Sequence, residues 1–175
     1  MILIINGNKQ KPIIIDVPTL PPIEFGQILV TNKVNLELSV ESNGNILNQI
    51  QEGDFLDLVT GTSITTGSDE GYARLGFPNQ SSIFLANNTE IRMLGDDGNL
   101  NDLQINRGRL IAQLPEKNSE NGQVQVSSPE NDSAMIKGSV MGVSYDPLTG
   151  EFLVDCLSGI CYFRENDDWT KFDAG

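Results

Sequence analysis

The sequence predicts an all-β fold, an antiparallel sandwich or roll of many short strands, and three observations support this expectation. Short runs alternate apolar and polar residues, which is the pattern of strands that bury one face. Turn signals such as Asn43-Gly44, Asp97-Gly98 and Thr149-Gly150 recur at roughly ten-residue spacing, as in sandwiches and barrels. No long stretch carries apolar residues at the i, i+3, i+4 and i+7 positions of an amphipathic helix.

Residues 1–26 are predicted to form an N-terminal β-hairpin followed by a Pro-rich connector. Ile2–Ile5 and Ile13–Ile15 flank the turn sequence NGNKQKP, so they are expected to pair as strands. The run VPTLPPIEFG follows, and its prolines favour an extended chain. Because four consecutive apolar residues make both faces of the first strand apolar, we expect the hairpin to be covered by the connector or by a neighbouring molecule. The second alternative would give self-association through the hairpin.

Residues 27–175 are predicted to be one β-domain. In VNLELSVE, the apolar residues Val34, Leu36, Leu38 and Val40 fall on one face. The same alternation predicts buried positions in later strands: Ala73, Leu75, Phe77, Ile91, Met93, Leu103, Ile105, Leu110, Ala112, Leu114, Val124, Val126, Met141, Val143 and Tyr145.

The charge balance limits the partners of the protein. The chain of 175 residues has 24 Asp and Glu against 11 Lys and Arg, for a net charge of −13. A field of this sign repels phosphate backbones and anionic lipid surfaces, so we expect no nucleic acid and no direct membrane binding. The chain also has no histidine, which removes the usual general base at neutral pH and the commonest zinc ligand. We therefore predict a protein that is not an enzyme and holds no cofactor.

No targeting or membrane-spanning segment is visible in the sequence. No run reaches the ~18 consecutive apolar residues of a membrane span. The start, MILIINGNKQKPIIID, has no basic region followed by a long apolar run, so it is not a signal peptide. If the protein is exported, the targeting segment is expected to precede Met1, and membrane attachment would need an anchor outside this chain.

Cys156 and Cys161, the two cysteines, are predicted to form a disulfide. Structural zinc needs four ligands, and a redox pair of the thioredoxin type has a different spacing. If Ser158-Gly159 is a two-residue hairpin turn, the cysteines face each other at a non-hydrogen-bonded position, where Cβ atoms are closest. The alternative is a pair of reduced cysteines packed as small apolar residues. A disulfide implies an oxidising compartment.

The acidic run GDDGNLND has some features of a calcium loop. Asp96, Asp97, Asn99 and Asp102 are its candidate oxygen ligands. It does not fit the EF-hand pattern, because the glycine is not at the sixth position from Asp97 and no acidic residue stands at the twelfth. We therefore expect an acidic turn between two strands and predict no metal site.

The motifs between residues 53 and 175 resemble, in type and order, those of the FecR-type domain, a β-rich extracytoplasmic domain of bacterial regulators and envelope proteins. The stretch GDFLDLVTGTSITTGSDEGYARLGFPNQSSIFLANNTEIRM carries the first motifs, and the whole similarity extends over about residues 27–175. The residues that match the turns and strand starts of the family are Gly61, Thr62, Thr66, Gly67, Gly108, Pro129, Gly138 and Ser139.

The resemblance implies an extracytoplasmic module that senses or binds another protein. In some members of the family the domain is the outer part of a membrane regulator that controls a sigma factor. The expected function is therefore a non-enzymatic sensing or protein-interaction module of the periplasm or cell surface. The alternatives are a structural subunit of a cell-surface assembly, with the N-terminal hairpin as its connector, and a carbohydrate-binding domain.

Overall fold

The structure, a computed structural model, describes residues 22–24, 26–57, 59–95, 102–115, 122–165 and 168–175. The predicted N-terminal hairpin lies outside the described residues, and so does most of the connector. Of the connector, Pro22, Ile23, Glu24 and Gly26 are described. The two alternatives for covering the hairpin therefore stay predictions.

The described residues form β-strands joined by turns. No helix that could span a bilayer occurs in the described part of the chain. The strands are β1 (Gln27–Val34), β2 (Leu38–Ser42), β3 (Asn45–Leu47), β4 (Phe55–Asp57), β5 (Ser63–Thr66), β6 (Tyr72–Gly76), β7 (Ser82–Ala86), β8 (Glu90–Met93), β9 (Asp102–Gln113), β10 (Val124–Ser127), β11 (Ser133–Ile136), β12 (Val140–Asp146), β13 (Glu151–Ser158), β14 (Ile160–Glu165) and β15 (Asp168–Asp173).

The strands form two packed layers that share one strand. Sheet A has the order β4-β1-β6-β7-β9-β12-β13, and sheet B has the order β3-β2-β5-β8-β9-β10-β11-β14-β15. Neighbouring strands are antiparallel, except that β10 runs parallel to β9. The predicted all-β sandwich or roll is confirmed, and this parallel pair is its one departure from antiparallel order in the described residues.

Strand β9 passes from sheet B into sheet A because it bends at Gly108. Its first half pairs with β8, and its second half pairs with β7 and β12. Gly108 has a φ of 90°, a value that side chains with a Cβ rarely adopt. A Cβ at this position would also lie 2.6 Å from the carbonyl oxygen of Asn88. The bend therefore requires glycine, for both its backbone angle and its close approach to the neighbouring turn.

The core lies between the two sheets and follows the predicted alternation. Inward positions of β6, β8, β9, β10 and β12 are buried in a single apolar cluster. Val34 is the exception, since it is 37% exposed. The predicted strand VNLELSVE is broken at Asn35, whose φ is 48°, so that β1 ends before it and β2 begins at Leu38. Alternation alone did not reveal this break, because the apolar residues after Asn35 again point into the core.

Candidate interaction surface

Buried threonines hold the turns around the bend of β9. The side-chain oxygen of Thr89 accepts a hydrogen bond from the backbone N–H of Arg109 at 3.1 Å. The backbone N–H of Thr89 in turn donates to the side-chain oxygen of Thr66 at 2.8 Å. Both threonines are almost fully buried. The N–H of Asn88 donates to the carbonyl oxygen of Gly67. These bonds tie the turns after β5 and β7 to β9.

A second set of contacts joins the two sheets at the other crossing. The turn after β11 leads from sheet B into sheet A, and the turn after β13 leads back. Gly138, in the first turn, has a φ of 70°. The hydroxyl of Ser139 accepts a hydrogen bond from the N–H of Ile160 at 3.0 Å and lies 2.9 Å from its carbonyl oxygen. Ser139 therefore holds the two turns together.

The disulfide between Cys156 and Cys161 lies at this second crossing. Its Cα atoms are 5.7 Å apart, and the described residues contain no free cysteine. The predicted hairpin around Ser158-Gly159 is wrong, because β13 pairs with β12 in sheet A and β14 pairs with β11 and β15 in sheet B. A tight turn with a glycine can join two strands of one sheet or two strands of different sheets. The spacing of the two cysteines does not distinguish these cases. The bond therefore links the two sheets.

The other family-motif residues also serve turns. Gly61 has a φ of 86°, and its N–H donates to the carbonyl oxygen of Met93. Thr62 is buried, and its hydroxyl donates to the hydroxyl of Ser42 at 3.3 Å. Pro129 follows Ser128, whose N–H donates to the carbonyl oxygen of Asp132 and closes the turn between β10 and β11. The motif residues thus hold turns and sheet crossings, and two of them, Thr66 and Gly67, also line the cleft described below.

The calcium candidates are only partly covered by the structure. Asp96, Asp97 and Asn99 lie outside the described residues, and no group of three or more potential metal-binding side chains occurs in the part that is described. Asp102 begins β9, and its Oδ1 atom is buried without a hydrogen-bond partner in that part. Burial raises the pKa of Asp102, and the nearby Arg164 guanidinium acts against that rise.

The outer face of sheet A has an apolar centre. The outward side chains of β6, β7, β9, β12 and β13 form what we call the sheet A face. Its central row runs across five neighbouring strands, since each residue is in register with the next: Arg74, Phe84, Ile111, Gly142 and Asp155. The residues between these positions along each strand, such as Leu75 and Leu110, point into the core.

Exposed apolar side chains flank this row. Tyr72 on β6 is 40% exposed, and Leu153 and Leu157 on β13 are each 52% exposed. Tyr72 also contacts the ring of Phe84, with the ring centroids 6.4 Å apart. Single exposed apolar residues are ordinary on protein surfaces, but a contiguous group on one sheet face indicates a contact surface.

Two arginines lie on the sheet A face, and neither forms an ion pair within the described residues, although the guanidinium of Arg74 donates to the hydroxyl of Ser82 at 3.4 Å. Arg74 has its guanidinium carbon 5.0 Å from the centroid of the Phe84 ring, a cation–π contact. Arg109, also on this face, is exposed. The ion pair found in the described part of the chain joins Arg107 to Glu90, on the other sheet. In a chain with a net charge of −13, an arginine stacked on an aromatic ring and a second, exposed arginine mark a surface suited to a protein partner.

The connector reaches one margin of the sheet A face. The Cδ1 atom of Ile23 lies 3.3 Å from the position that a Cβ on Gly76 would take. Gly76 and its neighbour in register, Leu29, are buried. The described end of the connector therefore covers the β1–β6 margin, while Tyr72, Leu153 and Leu157 stay exposed.

The outer face of sheet B is polar at its centre and carries exposed apolar side chains toward its two edges, namely Ile46, Ile160 and Trp169. We call its outward side chains the sheet B face. Hydroxyls at its centre are covered by a long side chain: the guanidinium of Arg164 donates to Ser133 at 3.0 Å and lies 5.4 Å from the centroid of the Trp169 ring. One row in register crosses nine strands: Ile46, Glu41, Ser63, Arg92, Gln104, Ser127, Ser133, Arg164 and Trp169.

A cleft of about 880 Å³ lies where the sheet B face meets the turns at the bend of β9. Its lining is polar and includes Lys33, Glu37 and Arg107. None of the residues that line it is aromatic, so it offers no ring on which a sugar could stack. The cleft is therefore a weaker candidate site than the sheet A face.

Sequence reasoning missed the sheet A face, although a signal was present. The runs IFLA (83–86) and RLIA (109–112) place apolar residues at outward as well as inward positions. A strand with apolar residues on both sides is covered on both sides. Only the register shows that these outward residues are neighbours.

Comparisons of the chain with protein-family models, with curated proteins and with solved structures gave no match.

Proposed function

We propose that the protein is a non-enzymatic, extracytoplasmic module that binds another protein through the sheet A face. The observation that carries this proposal is the set of outward apolar side chains on the sheet A face, namely Tyr72, Phe84, Ile111, Leu153 and Leu157. Aromatic side chains and arginines are the residue types that contribute most to protein–protein binding energy. The resemblance to the FecR-type domain suggests the same class of function, sensing or regulation through protein contact.

The chemistry of the chain supports a binding role over catalysis. Without histidine, general base catalysis near neutral pH would depend on a carboxylate, lysine, tyrosine or thiol with a shifted pKa. Burial of Asp102 is one source of such a shift, but this side chain lies under Arg164 on the sheet B face rather than in a cleft. We therefore place the function in protein binding.

A structural subunit of a cell-surface assembly is the second candidate, and the edge of sheet A favours it. Strand β13 has eight residues and pairs only with β12, so its other edge carries free backbone donors and acceptors in the described structure. A strand of a neighbouring subunit could add to this edge. Glu151 and Asp155 place charges on the strand, a common protection of free edges against unspecific pairing.

A photo-crosslinking experiment tests the binding role. A photoreactive phenylalanine analogue replaces Phe84 in the native cell, and a matched protein carries it at Gln104 on the sheet B face. We expect a discrete adduct with another protein from position 84 that excess unlabelled protein suppresses and excess Leu153→Glu protein does not. No adduct from either position, or equal adducts from both, would contradict the proposal.

The compartment is tested by the redox state of the cysteines in cells. Trapping free thiols with an alkylating reagent before lysis should leave Cys156 and Cys161 unmodified, since a disulfide persists in an oxidising compartment. Reduction before alkylation is the control and should label both. Labelling of both residues without reduction would place the protein in a reducing compartment and overturn the extracytoplasmic part of the proposal.

A further inference from the structure

The central row of the sheet A face is arranged symmetrically about β9. Strand β9 lies in the middle of the five strands, with β7 and β6 on one side and β12 and β13 on the other. Within these five strands the row runs from the cation Arg74 on β6 to the anion Asp155 on β13, and beyond β6 it continues to Asn32 on β1. The positions next to the centre hold Phe84, a large ring, on one side and Gly142, with no side chain, on the other.

We propose that the sheet A face binds a second copy of this chain in a two-fold symmetric dimer. The proposal rests on the proposed function, because it uses the same face for protein contact and names the partner. The symmetry axis runs along β9 in the plane between the two copies. Rotation about this axis places β6 of one copy over β13 of the other, and β7 over β12.

The paired positions are complementary under this rotation. Arg74 of each copy lies opposite Asp155 of the other, so the dimer contains two such ion pairs. Phe84 lies opposite Gly142, which has no side chain of its own, while Asp155 and Leu157 border this position at van der Waals distance from a hypothetical Cβ. Tyr72 and Leu153, both exposed, are each two residues from the ends of the row and also lie opposite each other. Stacked sheets whose strands are nearly aligned have this geometry.

The size of the face sets the expected strength. Five strands at about 4.8 Å spacing, each with about five residues along the face, cover a flat area of about 20 Å by 15 Å, or about 600 Å² for the two copies together. Even with side-chain relief this lies below the roughly 1,200–2,000 Å² buried in stable complexes. The dimer is therefore expected to be weak and to dissociate in the high micromolar range.

The N-terminal segment is the competing occupant of the face. It leads to the β1–β6 margin through Ile23. The sequence of residues 1–17 contains Lys9, Lys11 and Asp16 as its charged residues, so it offers one carboxylate to the two arginines of the face. A second copy supplies Asp155 opposite Arg74 in each half. Charge complementarity therefore favours the second copy.

One contact in the dimer is unfavourable and gives a further prediction. Arg109 lies on β9, so it comes close to Arg109 of the other copy across the axis. Like charges at this distance weaken the association. The Arg109→Ala variant should therefore dimerise several-fold more tightly than the unsubstituted chain.

The test is charge exchange in the full chain, followed by sedimentation across a concentration series at moderate salt. Arg74→Asp and Asp155→Arg should each weaken dimerisation at least about tenfold, since each places like charges opposite each other twice. An equimolar mixture of the two variants should restore a heterodimer, because both opposite-charge pairs re-form. Arg92→Asp on the sheet B face is the control and should leave dimerisation unchanged.

Three outcomes would overturn the dimer. They are a chain that stays monomeric at millimolar concentration, a mixture that associates no better than its components, and a photoreactive residue at position 84 that links to residues 1–21 of its own chain. A monomer that still forms the adduct with another protein at position 84 would remove the dimer and leave the proposed function standing. A dimer rescued by the mixture, with position 84 linking only to a second copy, would support the dimer and contradict binding of a different protein.

Discussion

The outer faces of sheet A and sheet B contain the same kind of alternating strands but differ in chemistry. The sheet A face has apolar residues at its centre and its charges at the ends of the row, Arg74 and Asp155. The sheet B face has hydroxyl and amide groups at its centre, with Arg164 lying over Ser133 and Trp169. Both faces cover the same apolar core and are joined by β9.

The difference teaches that burying the core does not determine the outer surface. The inward residues of both sheets are apolar and pack in one core, so folding requires the same kind of residue on the inner face of each sheet. Outward residues contribute little to folding, and they are free to serve contact on one side and solvation on the other. Substitutions on each face and at the strand that joins them test this separation.

Gly108→Ala should destabilise both sheets, because β9 belongs to each of them. A Cβ would lie 2.6 Å from Asn88 and Thr89, and the φ of 90° is unfavourable for alanine. We expect a loss of about 3 kcal/mol or more from the free energy of unfolding, enough to unfold much of the protein. Urea unfolding followed by circular dichroism measures this. If one sheet kept its protected amides in hydrogen exchange while the other lost them, the sheets would not form one cooperative unit.

Gly150→Ala is the matched control for this substitution. Gly150 has a φ of 72°, but nothing lies within 4 Å of the Cβ that alanine would add. Only the backbone penalty of about 1–2 kcal/mol should appear. An equal loss for the two variants would show that close approach at the bend of β9 has no energetic role.

Replacing Cys156 and Cys161 together by alanine should affect the sheet A face more than the sheet B face. The disulfide closes a short loop, so its loss should cost about 2 kcal/mol. It fixes the end of β13, which carries Leu153, Leu157 and Asp155, to the start of β14. Hydrogen exchange should therefore quicken in β12 and β13 and stay unchanged in β2 and β5. Faster exchange in β2 and β5 as well would contradict a local effect.

Two substitutions by glutamate compare the faces directly. Leu153→Glu on sheet A and Ser63→Glu on sheet B both change outward positions, so each should alter the free energy of unfolding by less than about 0.5 kcal/mol. Only Leu153→Glu should weaken self-association, because Leu153 lies on the sheet A face that the proposed dimer buries, whereas Ser63 lies on the sheet B face. Sedimentation and urea unfolding of both variants provide the two measurements. Equal effects on association would remove the distinction between the faces.

The smallest effect concerns Asp102 on the sheet B face. Burial raises the pKa of this carboxyl in the folded state above its ordinary value of 3.8. The folded protein then holds the proton more tightly than the unfolded chain, so this group lowers stability as the pH rises from its ordinary pKa through the raised one. Asp102→Asn should remove that loss and raise the urea midpoint slightly at neutral pH, with the gain disappearing near pH 3.

Arg164→Gln is the companion variant for this pH effect. The Arg164 guanidinium holds down the pKa of Asp102, so its removal should raise that pKa further and steepen the fall in stability with pH. Urea midpoints measured from pH 3 to pH 7 compare the three proteins. A stability difference between Asp102→Asn and the unsubstituted chain that stays constant with pH would contradict the linkage.

Alternation predicted which residues of the strands are buried but not how the strands are joined. Leu103 and Ile105 were expected in one strand and Leu110 and Ala112 in another, and all four are buried. They lie in a single strand, β9, that crosses between the layers at Gly108. Periodicity reports which face of a strand meets the core, and it holds no information about which strand lies beside it.

The disulfide shows the same limit of prediction from sequence. Cys156 and Cys161 are joined, as the spacing predicted, but across two sheets instead of within a hairpin. The sheet A face was not predicted, because Phe84, Ile111 and Leu153 become neighbours only through pairings between distant segments. Long-range register is a property of the whole chain, and short windows of sequence do not contain it.

The position of β9 in the chain also affects how the protein is made. β7 and β8 both pair directly with β9, so in a growing or translocating chain each has an unfilled edge until residues 102–113 emerge. Exposed strand edges are sites of aggregation and of attack by proteases. The fold is therefore complete only after β9, a strand from the second half of the chain, has been made. A cell that exports this protein must keep the first hundred residues from folding alone until then.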